Sequence, residues 1–167
     1  MYQLNPRNVS KEKNNILIMK LEEEISQKSF KTEFHKATVN LIYTYNWLVN
    51  YQIDLLKPYE ITLQQFNILR ILRGQYPNPT TIKLLKERML DKMSDASRIV
   101  EKLRIKNLID RKVCPHERRK VDVIITQKGL ELLKEIDNHD DEVISKISSL
   151  NEHEVKRLNE LLDKMRG

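Results

Sequence analysis

Apolar positions recur along this chain first at helical intervals, then at intervals of two over two short stretches, and then at helical intervals again. Residues 1 to about 10 lack either pattern and read as a loose arm. From Lys11 the spacing of Ile16, Met19 and Glu23 predicts a short helix that stops at the polar SQKS. From about Phe30 to Leu56, the residues Phe30, Phe34, Ala37, Leu41, Tyr45, Leu48 and Leu55 trace one apolar stripe, and Val39, Ile42, Val49, Ile53 and Leu56 trace a second. A helix apolar on two sides has to be sandwiched between its own domain and another body. A second copy of the chain could be that body.

Pro58 is expected to end this helix, because proline has no N–H to donate and clashes with the preceding turn. Thr62 and Gln65 have the spacing of a capping box for the next helix, with Ile61 and Phe66 as the accompanying apolar staple. That helix runs to about Arg73 and stops near Gly74, a residue suited to a left-handed turn. QYPNP at 75–79 reads as a loop. Two helices follow, roughly Thr81 to Met89 and Met93 to Lys106, joined by a few residues. Short helix, tight turn and longer helix make a helix-turn-helix. In the second helix Ile99, Val100 and Leu103 face the core, which leaves Ser94, Asp95, Ala96, Ser97, Arg98 and Lys102 toward solvent at its N-terminal half, the half such a helix sets against base edges. Asn107 stands where a left-handed residue ends a helix.

The two-residue period covers Leu108, Ile109 and Val113 and then Val121, Val123 and Ile125, with the basic CPHERRK between. A hairpin with a cationic tip directly after a helix-turn-helix is a winged helix. Thr126 then caps a helix predicted to reach about Ser148, through Leu130, Leu133, Ile136, Val143, Ile144 and Ile147. Asn151 and Glu154 repeat the capping-box spacing before a last helix carrying Val155, Leu158, Leu161, Leu162 and Met165. The fold class is mainly α (α+β). Residues 1–28 form an arm and short helix. A single domain follows at 29–167, with dimerisation helices at about 30–57 and 127–166 around a winged helix at about 62–126.

Charge sharpens this. Thirteen Lys and Arg face six Asp and Glu between Lys83 and Lys120, a net +7 in 38 residues, whereas the whole chain carries +6. One segment owns the positive field, which suits a polyanion, with nucleic acid as the leading partner and a solvated charged face as the plain alternative. Arg118, Arg119 and Lys120 at the hairpin tip fit phosphate or minor-groove contacts. A single cysteine, Cys114, leaves no disulfide or thiolate cluster, and four scattered histidines form no metal-ligand pattern, so no metal and no cofactor are expected. Three glycines leave no phosphate-cradling loop, and no other constellation argues for an enzyme. With no membrane-length apolar run and no secretory leader, the expected location is the cytoplasm.

Three segments carry a family resemblance: Ile61-Thr62 followed by LQQFNILRIL at 63–72, SDASRIVEKLRIKNLIDR at 94–111 and CPHERRKVDVIITQKG at 114–129. Together they resemble MarR-type (multiple-antibiotic-resistance) transcriptional regulators, from about Phe30 to Met165. The resemblance implies an obligate homodimer that binds an imperfect palindrome of double-stranded DNA, most simply as a repressor. It places Ser94, Asp95, Ser97, Arg98 and Lys102 on the recognition helix and Arg118 and Arg119 on the wing, with Lys120 beside them. Cys114 and His116 depart from the family's usual Asp and Arg, leaving Glu117 as the acid of the wing. Ser94 has an N-cap reading and Ser97 a packing reading beside the phosphate one, and Arg98 could instead pair with Glu101. Tyr43, Trp47 and Tyr51, with Tyr45 and Tyr59, either line a pocket for a small aromatic or amphipathic effector or belong to core and dimer interface. The rival functions are a winged-helix module that docks a protein and a redox-responsive regulator acting through Cys114.

Overall fold

The computed structural model describes residues 19–113, 121–138 and 149–167, without the side chains of Lys112, Val113 and Val121. The elements run α1 (Leu21–Glu24), α2 (Glu33–Leu56), a 3-10 turn (Lys57–Tyr59), α3 (Leu63–Arg73), β1 (Thr80–Thr81), α4 (Ile82–Arg88), α5 (Ala96–Ile105), β2 (Ile109–Val113), β3 (Val121–Ile125), α6 (Gln127–Asp137) and α7 (Glu152–Arg166). The chain divides into two compact units, residues 1–46 and 47–167, the division falling within α2.

In the first unit, Leu21 is buried and α1 is tied to α2 by polar contacts. Lys36 donates to Glu22 at 2.6 Å, and the Tyr43 hydroxyl donates to Glu24 at 2.8 Å. The Lys36 hydrogen bond holds the Glu22 carboxyl below its ordinary range and raises the Lys36 ammonium. Phe30 meets His35 edge-on, with ring centroids 5.5 Å apart.

The second unit is built on one apolar cluster. Ile68, Leu69 and Leu72 of α3, Leu85 of α4, Val100 and Leu103 of α5, Val123 and Ile125 of β3, and Leu133 and Ile136 of α6 are all excluded from solvent within it. The three α5 positions Ala96, Val100 and Leu103 form one i, i+4, i+7 stripe. Ala96 therefore belongs to the core rather than to solvent: it is small and buried, and it extends the line that Val100 and Leu103 begin.

Local sequence sets the helix ends. Pro58 lies in the first turn of the 3-10 segment, so α2 stops at Leu56. The Thr62 side chain accepts from the Gln65 N–H while the Gln65 side chain accepts from the Thr62 N–H, closing the capping box and satisfying a glutamine that is otherwise buried. Asn151 and Glu154 close a second box on α7. Asn107 takes the left-handed conformation with φ 58°; its N–H donates to Arg104 and that of Leu108 to Leu103, the pairing of a Schellman turn. Gly74 does not behave this way. Its φ of −66° is right-handed, because the N–H groups of Gly74, Gln75 and Tyr76 satisfy the last carbonyls of α3 by continuing the turn.

β2 and β3 pair antiparallel with Ile109 opposite Ile125 and Val113 opposite Val121, as expected for a wing. A third strand was not anticipated. Thr80 and Thr81 pair with Val123 and Asp122 on the other edge of β3, giving the order β1-β3-β2. Helix α6 is described as far as Asp137, and its expected continuation at 139–148 lies outside the described residues, as do residues 1–18. Gly129 lets α6 start where it does. A Cβ there would overlap the Leu108 carbonyl oxygen and lie 2.7 Å from Cγ1 of Ile125.

Candidate nucleic-acid interface

The turn between α4 and α5 is held by buried Met89 at its start and by side-chain hydrogen bonds along its length. Asp91 accepts from the Met93 N–H at 3.0 Å and from the Ser94 hydroxyl at 2.6 Å, while Asn67 of α3 accepts from the Leu90 N–H at 3.1 Å. The Ser94 hydroxyl above all, then the Met93 N–H, holds the Asp91 carboxyl below its ordinary range, with a smaller contribution from the Gln64 side chain. Lys92 folds back to donate to the Glu87 carbonyl at 2.6 Å. Since the Ser94 hydroxyl is engaged by Asp91, the adjacent Asp95 becomes the N-cap of α5 and accepts from the Arg98 N–H at 3.1 Å. The N-cap reading of Ser94 is thereby replaced by Asp95.

Beyond that cap, α5 sorts its charges. Glu101 is claimed by Arg104, which donates to it through Nε and a terminal nitrogen at 2.8–3.2 Å, and Arg111 approaches it at 3.7 Å. The Arg104 hydrogen bond lowers the Glu101 carboxyl, and the same bond raises Arg104. The alternative pairing of Arg98 with Glu101 is not what forms. Ser97, Arg98 and Lys102 are exposed, and among the described residues neither Arg98 nor Lys102 has an ion-pair partner.

A groove of about 270 Å³ runs between the start of α3 and the flank of α5. It is lined by Thr62, Gln64 and Gln65 on one side and by Ser94, Asp95, Arg98, Ile99 and Lys102 on the other. Four of the sequence-predicted residues, Ser94, Asp95, Arg98 and Lys102, are thus brought to one concavity, with Ser97 on the same exposed half of α5. Sequence reasoning took Thr62 and Gln65 only for helix-start chemistry and gave Gln64 no role. Their place in the groove follows from α3 packing beside α5, which no local pattern in the sequence signals. Arg118, Arg119 and Lys120, with Cys114, His116 and Glu117, lie outside the described residues.

The candidate effector residues do not converge on a described cavity. The Tyr43 hydroxyl donates to Glu24, which raises its pKa above the ordinary tyrosine value; Trp47 is exposed on α2, and Tyr51 is half-buried with an interaction of its own. A second cavity of about 340 Å³ is lined instead by Tyr59, Glu60, Lys106, Leu108, Lys128, Glu131, Leu132 and Glu135. Lys106 donates to the Glu60 carbonyl and Lys128 to the Lys106 carbonyl, so the wall is pinned where α5 hands over to the sheet. Among the described residues no cluster of His, Cys, Asp and Glu could hold a metal ion, and no helix is long and apolar enough to cross a membrane.

Three helices with a capped, cation-bearing third member, followed by a two-stranded wing, define a winged helix-turn-helix, a DNA-binding fold. No family model matches the chain. It is 33% identical over 115 residues to the HTH-type transcriptional regulator MgrA of Staphylococcus aureus, a match spanning 69% of this chain and 76% of that protein. The crystal structure of a MarR transcription factor from Planctomyces limnophilus is similar with a TM-score of 0.62 at 25% identity, covering 83% of this chain and 98% of that one. BpsR of Bordetella bronchiseptica, whose DNA binding is regulated by 6-hydroxynicotinic acid, has a TM-score of 0.67 at 24% identity over 79% of this chain and 99% of its own. The chain belongs to the MarR family, and is a DNA-binding transcription regulator rather than an enzyme.

Proposed function

We propose that the protein works in the cytoplasm as a homodimeric repressor, with helices at about 30–57 and 127–166 joining two copies and the winged helix at about 62–126 of each reading one half of a palindromic operator. The observation that carries this reading is the uncovered N-terminal half of α5. Arg98 is exposed there and Lys102 is exposed one turn further along α5, while Glu101 neutralises Arg104 instead. Arg98 reads a base edge or grips a phosphate, Ser97 and Lys102 take phosphates along the groove, Ser94 holds the turn through Asp91, and Asp95 positions the helix by capping it. Arg118, Arg119 and Lys120 extend the contact to the flanking minor groove. Half-sites would then lie about one helical turn of DNA apart.

Binding is released by a small aromatic or amphipathic molecule. Tyr59, Leu108 and Leu132 give the 340 Å³ cavity an apolar wall, and Lys106 and Lys128 stand there among Glu60, Glu131 and Glu135, a mixed lining suited to a small amphipathic aromatic molecule. BpsR, with its regulation by 6-hydroxynicotinic acid, supports looking for such a ligand.

The deciding experiment is a gel-shift titration on a duplex enriched from a random-sequence pool. Arg98→Ala is expected to weaken binding by about 1–3 kcal/mol and to relax sequence preference. An Arg98→Ala protein, and an Arg118→Ala/Arg119→Ala protein, that bind as well as the parent would overturn these residue assignments.

A further inference from the structure

Leu90 and Met93 stand almost wholly in solvent, 86% and 93% exposed, on the turn that leads into α5. A lone exposed leucine is ordinary. Two large apolar side chains on one short turn are different when the backbone beneath them is held in place. The Leu90 N–H is anchored by Asn67 and the Met93 N–H by Asp91, and Asp91 is in turn held by Ser94. These bonds hold the backbone that carries the two exposed side chains. Within eight residues of one or the other, Lys83, Lys86, Arg88, Lys92 and Arg98 stand against Glu87, Asp91, Asp95 and Glu101, of which Asp91 and Asp95 are taken up in local hydrogen bonds, and the turn lies within the 83–120 segment of net +7. That surround fits a polyanion rather than an apolar protein surface.

Met93 lies two residues before the Asp95 cap, so whatever groove admits the start of α5 admits Met93 with it. On the major-groove edge of duplex DNA the apolar feature is the C5-methyl of thymine. We propose that Leu90 and Met93 are specificity-determining contacts that read thymine methyl groups in the operator. This rests on the DNA-binding reading above and adds to it a second mode of readout beside Arg98. Methionine suits the role because its unbranched, polarisable side chain adapts to a methyl in more than one register.

The test uses the full-length chain and a duplex it enriches from a random-sequence pool, with each thymine replaced in turn by deoxyuridine, which pairs identically but lacks the methyl. At one or two positions per half-site the replacement is expected to weaken binding by the parent about fourfold, the scale of one buried methyl-sized group. For Leu90→Ala or Met93→Ala that sensitivity should vanish at one of those positions while thermal unfolding stays unchanged, since both side chains are exposed. A parent indifferent to every replacement, or alanine proteins as sensitive as the parent, would overturn the proposal. In either case Arg98→Ala would still weaken binding if the DNA-binding reading holds. Failure to enrich any duplex would sink both together.

Discussion

At the scale of single residues, the most constrained position is one with no side chain. Gly129 sits at the third residue of α6, where its N–H donates to Thr126 and Leu108 and Ile125 leave no room for a Cβ. Because the overlap is with a backbone carbonyl, a neighbour cannot swing aside to relieve it. Gly129→Ala is expected to destabilise the protein by about 1–3 kcal/mol, the usual cost of overpacking, read from the midpoint of a denaturant titration. An unchanged midpoint would mean that α6 can shift without loss. Asp91 supports a second expectation. Its carboxyl is lowered because the charged form accepts from the Ser94 hydroxyl and the Met93 N–H. The stabilisation is therefore present above the pH at which a free aspartate titrates and is lost as pH falls through the lowered value. An NMR titration of the Asp91 carboxyl carbon should give a midpoint below that of an unfolded reference, and amide exchange at Met93 and Ser94 should quicken as it protonates. A midpoint at or above the reference would remove Asp91 as the anchor of the turn.

At the scale of elements, the winged helix is assembled from helix starts that each carry their own cap. Thr62, Thr81, Asp95 and Thr126 each accept from the N–H three residues on. Thr126 is used twice, since its hydroxyl also donates to the Asn107 carbonyl at 2.9 Å and ties the end of α5 to the start of α6. Thr126→Ala should cost about 1–2 kcal/mol and Thr126→Ser much less, because serine keeps both bonds. Equal losses for the two would assign the effect to the methyl group instead. The caps at Thr62 and Thr126 were legible in sequence because they involve residues three apart and nothing else. The same locality explains what was misread. Ser94 and Asp95 are equally good caps in isolation, and only the hydrogen bond from Ser94 back to Asp91 decides between them. The strand at Thr80–Thr81 has no period to detect; it exists because β3 offers a free edge beside it. Ala96 carried too little apolar weight to mark itself as core, and the role of Gln64 depends on α3 lying beside α5.

For the molecule as a whole, two features that sequence showed plainly find different expression in the structure. The apolar stripes of α2 remain largely uncovered, with Phe34 87% and Tyr45 65% exposed and Ile42 and Ile53 exposed beside them, and α7 carries exposed Leu158, Leu161 and Met165. Large apolar side chains left uncovered on each of two helices are the mark of surfaces meant for another copy of the chain, which fits the homodimer proposed above. The positive field is confined to residues 83–120, so each copy brings its own net +7 to the DNA. The two features are linked through salt. Binding weakens with salt in proportion to the number of phosphates neutralised, with a slope of about −0.9 per phosphate on duplex DNA. A dimer neutralises twice as many as a monomer and should show about twice the slope. Ile42→Ser/Leu161→Ser changes no charge and leaves the buried core of the second unit intact. By sedimentation it is expected to give a folded monomer, and its plot of log affinity against log salt on the enriched duplex should be about half as steep as the parent's. A parent that already sediments as a monomer would undo the assignment of α2 and α7 to dimerisation. A folded monomeric variant whose slope stays undiminished would show instead that a single winged helix makes all the phosphate contacts.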